Sequence, residues 1–335
     1  MTAAHIWIVS PASAAANNGN WQTASRWARF LRGRYRVTLA QQWPPEGPPG
    51  PAPALLIALH ARRSAASLAA FAAAHPQRPT LLLLTGTDLY RDMHTDGAAQ
   101  ASLRRAGALA LLQPAGLAEL APALRAKAHV IYQSAPALRP AAGARRYFDV
   151  CMVGHLRAEK DPATFMRAAA LLDGAGVRLL HIGAALDPAL GALAAATQAA
   201  TPRYRWLGPL GHAATRQRLK RCRLMALSSH MEGGANVIIE AVTSGVPVLA
   251  SDIGGNRGML GEDYAGYFPA GDAAALAALI ARAAADAAFY ARLRAQCAAR
   301  APLFTPAAEQ TALLQLVDNL LRREFPPYTT TWTPQ

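Results

Sequence analysis

Short, nearly continuous apolar runs alternate along this chain with longer stretches in which apolar residues return every three or four positions. The runs at 5–10, 36–42, 54–60, 80–85, 109–113 and 129–133 predict strands. Helices are expected between them, near 22–32, 62–75, 98–106 and 116–126. A strand buried on one face alternates apolar with polar residues, whereas a strand covered on both faces reads as an unbroken apolar run. Strands of the second kind, alternating with helices, are the pattern of a parallel, doubly wound α/β sheet.

The segment 134–146, SAPALRPAAGARR, breaks this rhythm with prolines, a glycine and charge, and reads as a linker. A second α/β series follows, with strands at 148–154, 177–183, 204–207, 224–229, 247–251 and 266–268. Its helices are expected from 161, near 190–199 and 212–221, and from 235. From 273 to 325 the pattern is helical, punctuated by Pro302 and Pro306, and the last ten residues show no period. The expected organisation is two Rossmann-like domains, 1–140 and 141–305, facing across a cleft. Residues 306–335 form a C-terminal helix and tail that pack back on the N-terminal domain. A chain of 335 residues exceeds the roughly 250–300 at which single cores stop growing, which fits that division. Ligands of open α/β sheets bind beyond the carboxyl ends of the strands, so the loops after strands are where chemistry is sought.

Composition narrows the classes. With 52% hydrophobic and 16% charged residues, intrinsic disorder is excluded. There are 34 Lys and Arg against 20 Asp and Glu, a net charge of +14. The basic residues are mostly Arg scattered through Ala-rich helices, which reads as solvated helix faces. Functionally, such a field draws in small, highly charged anions such as phosphates or sugar nucleotides. No nucleic-acid recognition module accompanies it, and no nucleic acid is expected as a partner. Three widely spaced cysteines, Cys151, Cys222 and Cys297, give neither a disulfide framework nor a zinc set and suit a reducing compartment. No uncharged apolar stretch of about 18 residues is present, so no spanning helix is expected. The N-terminus has no signal-peptide pattern and reads as a first strand, so the expected location is cytoplasmic.

The densest motif runs from 228 to 255, SSHMEGGANVIIEAVTSGVPVLASDIGG. Gly233 and Gly234 remove side chains where a ligand must approach backbone N–H groups, and N–H groups at a helix mouth favour phosphate. Glu232 precedes the expected helix, and Glu240 is expected about two turns on, roughly 80° round the same cylinder. This segment resembles the E-x7-E motif of the glycosyltransferase family 4-like group, and EAVTSGVPVLASDIGG resembles that group's EAxAxGxPVxAxxxGG. The resemblance implies a GT-B fold, two Rossmann-like domains with a nucleotide-sugar site in the second. It implies that one carboxylate addresses the sugar and the other the ribose, with donor contacts running through Gly233, Gly234, Ala235 and Asn236. Residues 153–162, VGHLRAEKDP, resemble the family's VGRLxxEKG segment. That places Gly154, Arg157 and Lys160 at the donor, the two cations stabilising a departing UDP. No DxD-like pair is present, so no metal and no cofactor are expected. His155 stands where the family has Arg. The segment 205–211, RWLGPLG, resembles the place where backbone meets the nucleobase, near Leu210; a tight turn explains its glycines equally well.

In the first domain, the loop after the first strand carries Asn17-Asn18-Gly19-Asn20 ahead of Trp21 and Thr23. Amides, a hydroxyl and helix-end N–H groups suit a small oxyanion, making Asn18, Gly19, Asn20 and Thr23 acceptor candidates. An Asn-capped turn is the plainer explanation. The segment 85–90, TGTDLY, resembles the family's H-G-T-D-x-Y loop with Thr85 in place of His. Thr85 and Thr87 are further acceptor candidates, and Asp88 is a candidate general base or a turn-capping carboxylate. NNGNWQTASRW, TGTDLYRDM and HMEGGANVIIEA together resemble the narrower group of selenosugar synthases of selenoneine biosynthesis. That resemblance implies transfer from a UDP-sugar, UDP-N-acetylglucosamine favoured, to selenophosphate, with a functional link to a selenophosphate synthetase. The implied catalytic set is Arg157, Lys160, Glu232 and Asp88. On this small-anion reading no stable membrane association is expected. Three other readings remain open. One is a hexosyltransferase acting on a lipid or polysaccharide hydroxyl, with Arg26, Arg29, Arg32 and Arg34 facing a membrane. Another is a non-hydrolysing sugar-nucleotide epimerase. The last is a basic nucleotide- or nucleic-acid-binding protein.

Overall fold

The computed structural model describes residues 3–12, 19–45, 50–139, 141, 146–173 and 176–322. The chain divides into two compact units, Met1–Ile131 with Glu309–Gln335, and Tyr132–Ala308. The first contains β1 (His5–Val9), α1 (Gly19–Leu31), β2 (Arg36–Ala40), β3 (Leu55–Leu59), α2 (Ala65–Ala74) and β4 (Thr80–Leu83). It continues through α3 (Met93–Thr95), α4 (Gly97–Arg105), β5 (Ala108–Leu111), α5 (Pro122–Arg125) and β6 (Ala128–Val130). These strands form a parallel six-stranded sheet in the order β2-β1-β3-β4-β5-β6.

Because side chains alternate across a strand, one apolar run supplies two cores. Ile6, Ile8, Leu55, Ile57 and Leu59 face α1 through Trp27 and Leu31. Val9, Leu56 and Ala58 face the other way, toward Leu68 and Phe71 of α2 and Leu103 of α4. Both faces are thereby covered, which is why β3, β4 and β5 are buried at every position. The expected helix at 116–126 is instead a 3-10 turn, Pro114–Leu117, followed by the four-residue α5. Pro122 has no N–H to give the turn before it, so a continuous helix cannot form there.

The second unit contains β7 (Phe148–Val153), α6 (Pro162–Leu171), β8 (Val177–Ile182), α7 (Pro188–Ala200), β9 (Tyr204–Trp206), α8 (His212–Leu219) and β10 (Leu224–Leu227). Then come α9 (Asn236–Val242), β11 (Val248–Ser251), α10 (Gly254–Leu260), β12 (Tyr267–Phe268), α11 (Ala273–Ala285) and α12 (Ala287–Arg300). The sheet is again parallel, in the order β12-β11-β10-β7-β8-β9. The helix α10 departs from expectation, since a glycine-rich GGNRGML segment has poor helix propensity. Tertiary contacts impose it: a Cβ on Gly255 would lie 1.9 Å from the Glu232 carbonyl oxygen, and Asn256 donates to Ser251 O at 2.9 Å.

The division falls at 131/132, earlier than the expected 140. Residues 132–139 are bonded into the second unit, with Ala135 N donating to Phe304 O and Leu138 N to Thr243 O. A final helix, α13 (Pro306–Arg322), belongs to the first unit from Glu309 onward. Its Leu313, Leu316, Val317 and Leu320 join the α1 core. Glu309, 1% exposed, accepts from Trp27 Nε1 at 2.8 Å and from Arg26 Nε at 2.7 Å. Asp318 accepts from Tyr35 Oη and pairs with Arg34 at 2.7 Å. Among the described residues, no single helix is long and apolar enough to cross a membrane.

Glu309→Ala takes a buried carboxylate away from Trp27 and Arg26 and leaves a largely buried guanidinium without its counter-charge. It should destabilise the protein by about 3 kcal/mol, the usual cost of breaking a buried pair from one side. Denaturant unfolding followed by tryptophan fluorescence measures this, with Glu309→Gln expected to lose less because its amide oxygen still accepts from Trp27.

Candidate functional site

In each sheet the chain order reverses once, between β1 and β3 in the first unit and between β7 and β10 in the second. Loops leaving two such strands run in opposite directions and open a crevice at their carboxyl ends. In the second unit those loops are 154–161 and 228–235, which carry the two strongest motifs of the sequence.

The two loops are bonded to each other. Ser228 Oγ lies 2.7 Å from Asp161 O and 3.2 Å from Lys160 O, and His230 N donates to Glu159 O at 2.9 Å. Asp161, with a left-handed backbone at φ 41°, caps α6 by accepting from Thr164 N at 3.2 Å. This fixes the direction of the preceding residue, Lys160, whose ammonium reaches Glu232 Oε1 at 2.5 Å. The same oxygen accepts from Ser229 Oγ at 2.6 Å, and Glu232 is only 7% exposed. A charge this buried is tolerated because it is paired and hydrogen-bonded. Arg157, in contrast, is exposed.

Behind the 154–161 loop lies a buried imidazole. His181 Nε2 donates to Gly154 O at 3.2 Å while Nδ1 accepts from Tyr204 Oη at 2.9 Å, a tautomer assigned from the partners. Burial pushes its pKa down to about 4, so it is neutral near pH 7. Gly183 touches the same place: a Cβ there would lie 1.9 Å from Gly154 O. His155 accepts from Ala184 N at 3.1 Å and is held below the usual histidine range by burial and then by Arg157 and Lys160.

Glu240 lies within the seven-residue α9, which begins at Asn236. Glu232 therefore precedes the helix, and the two carboxylates do not share a cylinder; the expected 80° relation does not apply. Glu240 Oε1 is instead bonded to His212 Nε2 at 2.7 Å, and that hydrogen bond raises the imidazole's pKa. Gly233 and Ala235 are buried, Gly234 and Asn236 half-buried, and Leu210 exposed, its carbonyl accepting from Thr215 Oγ1 at 3.3 Å.

In the first unit the helix α1 starts at Gly19, earlier than expected, and takes in Asn20 and Thr23. Thr23 is buried, its hydroxyl turned back to Gly19 O at 2.8 Å. Asn18 lies outside the described residues. Beyond β4, Asp88 is fully buried and accepts from Thr85 N, Thr85 Oγ1 and Ala61 N at 2.6–2.8 Å. The carboxylate ties the loop after β4 to the loop after β3. Thr87 meets a residue that sequence reasoning passed over, His60, whose Nε2 is 3.2 Å from the Thr87 hydroxyl. Its one signal was position, at the end of a strand beside the order reversal. Arg26 and Arg34, two of the four arginines considered for a membrane face, are bound to Glu309 and Asp318. Among the described residues, no group of three or more His, Cys, Asp or Glu is arranged to hold a metal ion.

Residues 138–302, nearly all of the second unit, match the family model described as Glycosyl transferases group 1. No curated protein sequence matches the chain. Among solved structures the chain is similar to HepE of Anabaena in complex with UDP and glucose, at 17% identity and a TM-score of 0.74, covering 94% of this chain and 100% of that one. It is likewise similar to sucrose-phosphate synthase of Thermosynechococcus elongatus, at 18% identity and a TM-score of 0.75, covering 95% and 99%. A lipopolysaccharide outer core galactosyltransferase, WaaB, matches at 13% identity and 0.70 over 94% and 99%. The fold is GT-B, as the motifs implied.

The buried His181 yields a pH prediction. The unfolded chain protonates this group near pH 6.5 and the folded chain near pH 4. Between those values the unfolded state binds more protons, so this residue makes stability rise with pH across the window. His181→Gln should flatten the rise by about 3 kcal/mol, the equivalent of that pKa difference. Denaturant unfolding at several pH values between 4 and 7 measures it.

Proposed function

We propose that the chain is a glycosyltransferase taking a UDP-sugar as donor, UDP-N-acetylglucosamine in particular, and selenophosphate as acceptor. The observation that carries this reading is the pairing of Lys160 with Glu232, beside the exposed Arg157, at the strand-order reversal of a unit that matches a glycosyltransferase family model. Two cations at that place suit a pyrophosphate. In the proposed reaction the C1–O bond of the donor breaks, its electron pair leaves with UDP, and selenium forms the new bond to C1. Negative charge grows on the leaving UDP, and Arg157 and Lys160 stabilise it from fixed positions, with no metal in the scheme. Glu232 orients Lys160 and addresses a sugar hydroxyl. Glu240 takes the ribose, and His212, its present partner, shares it or gives way.

The acceptor reading rests on the resemblance of the first-unit motifs and on chemistry. Selenophosphate brings its own polarisable nucleophile, so a strong general base is not required. Asp88, buried and bonded on both oxygens, then serves to hold Thr85 in place and to tie it to the backbone of Ala61. A selenophosphate synthetase would supply such an acceptor. The hexosyltransferase reading loses weight because Arg26 and Arg34 are engaged with Glu309 and Asp318.

Mass spectrometry of purified protein with UDP-N-acetylglucosamine, with and without selenophosphate, tests the proposal. UDP and a selenium-bearing sugar should form only when both are present. An isomerised sugar nucleotide formed without acceptor would identify an epimerase instead. Lys160→Ala should cut turnover by about 10²–10³, as expected for losing one fixed transition-state donor. Glu240→Ala should weaken UDP binding by about tenfold, the scale of one hydrogen bond to a charged group, read by calorimetry.

A further inference from the structure

We infer that His60 is a positioning residue that aims the Thr87 hydroxyl at an anionic oxygen of the acceptor. The inference rests on the reading of the first unit as the side that takes a small oxyanion, and it adds a residue that no motif supplied.

His60 follows β3 directly, at the reversal between β1 and β3. It is 1% exposed and has a left-handed backbone at φ 73°. A bulky residue in that region is strained and persists only where the surroundings over-determine it. Those surroundings are visible. His60 N donates to Leu83 O at 3.0 Å, and Ser64 N donates to His60 O at 3.0 Å. The backbone N–H of Arg63 points at Nδ1 at 3.5 Å, so Nδ1 keeps its lone pair. The ring proton therefore belongs on Nε2, which donates to Thr87 Oγ1 at 3.2 Å. Asp88 Oδ2 lies 3.9 Å from Nδ1 and Asp92 Oδ2 3.9 Å from Nε2. Burial keeps the imidazole neutral despite those carboxylates, because it holds the pKa below the usual histidine range.

The consequence falls on Thr87. A hydroxyl has one proton to give and lone pairs to receive. With a lone pair occupied by His60, its own proton remains to be given to another acceptor, and Thr87 is half-buried in the first helical turn after β4. Arg62 and Arg63 follow His60 in the same loop and make the surroundings cationic, although Arg62 is partly spent on Asp92 at 2.9 Å. A hydroxyl donor held by a neutral imidazole beside cations suits a phosphate-type oxyanion.

Calorimetric titration of inorganic phosphate and of thiophosphate into the UDP-loaded full chain tests this without turnover. Wild type should bind. Thr87→Val should weaken binding by about tenfold or more, the scale of a hydrogen bond to a charged group, and Thr87→Ser should stay within about threefold. His60→Asn tolerates the left-handed backbone but is too short to reach Thr87, and should lose as much as Thr87→Val. His60→Gln restores an N–H near the Nε2 position and should recover most of that loss. The double variant His60→Asn/Thr87→Val should be no weaker than Thr87→Val alone, because one residue acts through the other. UDP affinity should stay unchanged in all of them, which separates misfolding from the specific effect. Additive losses, unaltered phosphate binding in Thr87→Val, or a wild type that does not bind phosphate would each overturn the inference. Phosphate binding without selenosugar formation would sink the proposed acceptor and leave the role of His60 standing.

Discussion

The seam between β7 and β10 is the constraint on which the candidate site of the second unit depends. Strands ending side by side leave backbone groups that have run out of ladder partners, and buried groups of that kind must be satisfied. Across the seam Ser228 Oγ and His230 N satisfy groups of the following loop, the carbonyls of Lys160, Asp161 and Glu159 in the turn that leads into α6. Gly183 and Gly255 let further layers of backbone close in, since a Cβ at either would overlap a carbonyl oxygen. The loops are therefore held by backbone contacts, and the side chains above them inherit that rigidity.

That rigidity matters for the charges. Glu232 alone in its buried position would be costly; with Lys160 and Ser229 it is satisfied. An ammonium has three protons, so a Lys160 bonded to Glu232 still has donors for an incoming anion. The carboxylate thus sets the direction of the cation without consuming it. Arg157, nearby in sequence and exposed, adds a second positive charge. A pyrophosphate arriving at such a place meets cations already oriented, the condition under which fixed charges stabilise a leaving group best.

The apolar runs foretold every strand of both sheets, most plainly β3, β4, β5, β10 and β11, where burial on two faces leaves no polar positions to confuse the reading. Helix starts were legible where Asp caps them, as at Asp161. The failures share a cause. The helix α10 contradicts its own glycines and exists because of the Ser251 carbonyl just before it and the Glu232 backbone more than twenty residues upstream. The arginines of α1 looked solvent-directed, yet Glu309, 283 positions from Arg26, removes one of them from the surface. His60 was indistinguishable from a strand-terminal residue, since periodicity carries no sign of a left-handed backbone. The motif residues Lys160 and Glu232 were found by pattern, whereas their direct contact, across 72 positions, was not.

The first unit also bears on what kind of acceptor is reasonable. A sugar or lipid hydroxyl attacking an anomeric carbon needs a base to take its proton. Both carboxylates of the turn after β4 are committed elsewhere. Asp88 accepts from three donors and, being buried, has its pKa pushed up in spite of them. Burial works against the charged form of Asp92 too, but hydrogen bonds from Arg91 and Arg62 outweigh it and hold that carboxyl below the usual range. Every oxygen of the two groups already accepts a hydrogen bond, so neither is free to receive a proton from an acceptor hydroxyl. A nucleophile that arrives already anionic has no need of one, and what it does need, a donor to hold its oxygens, is what His60 and Thr87 offer.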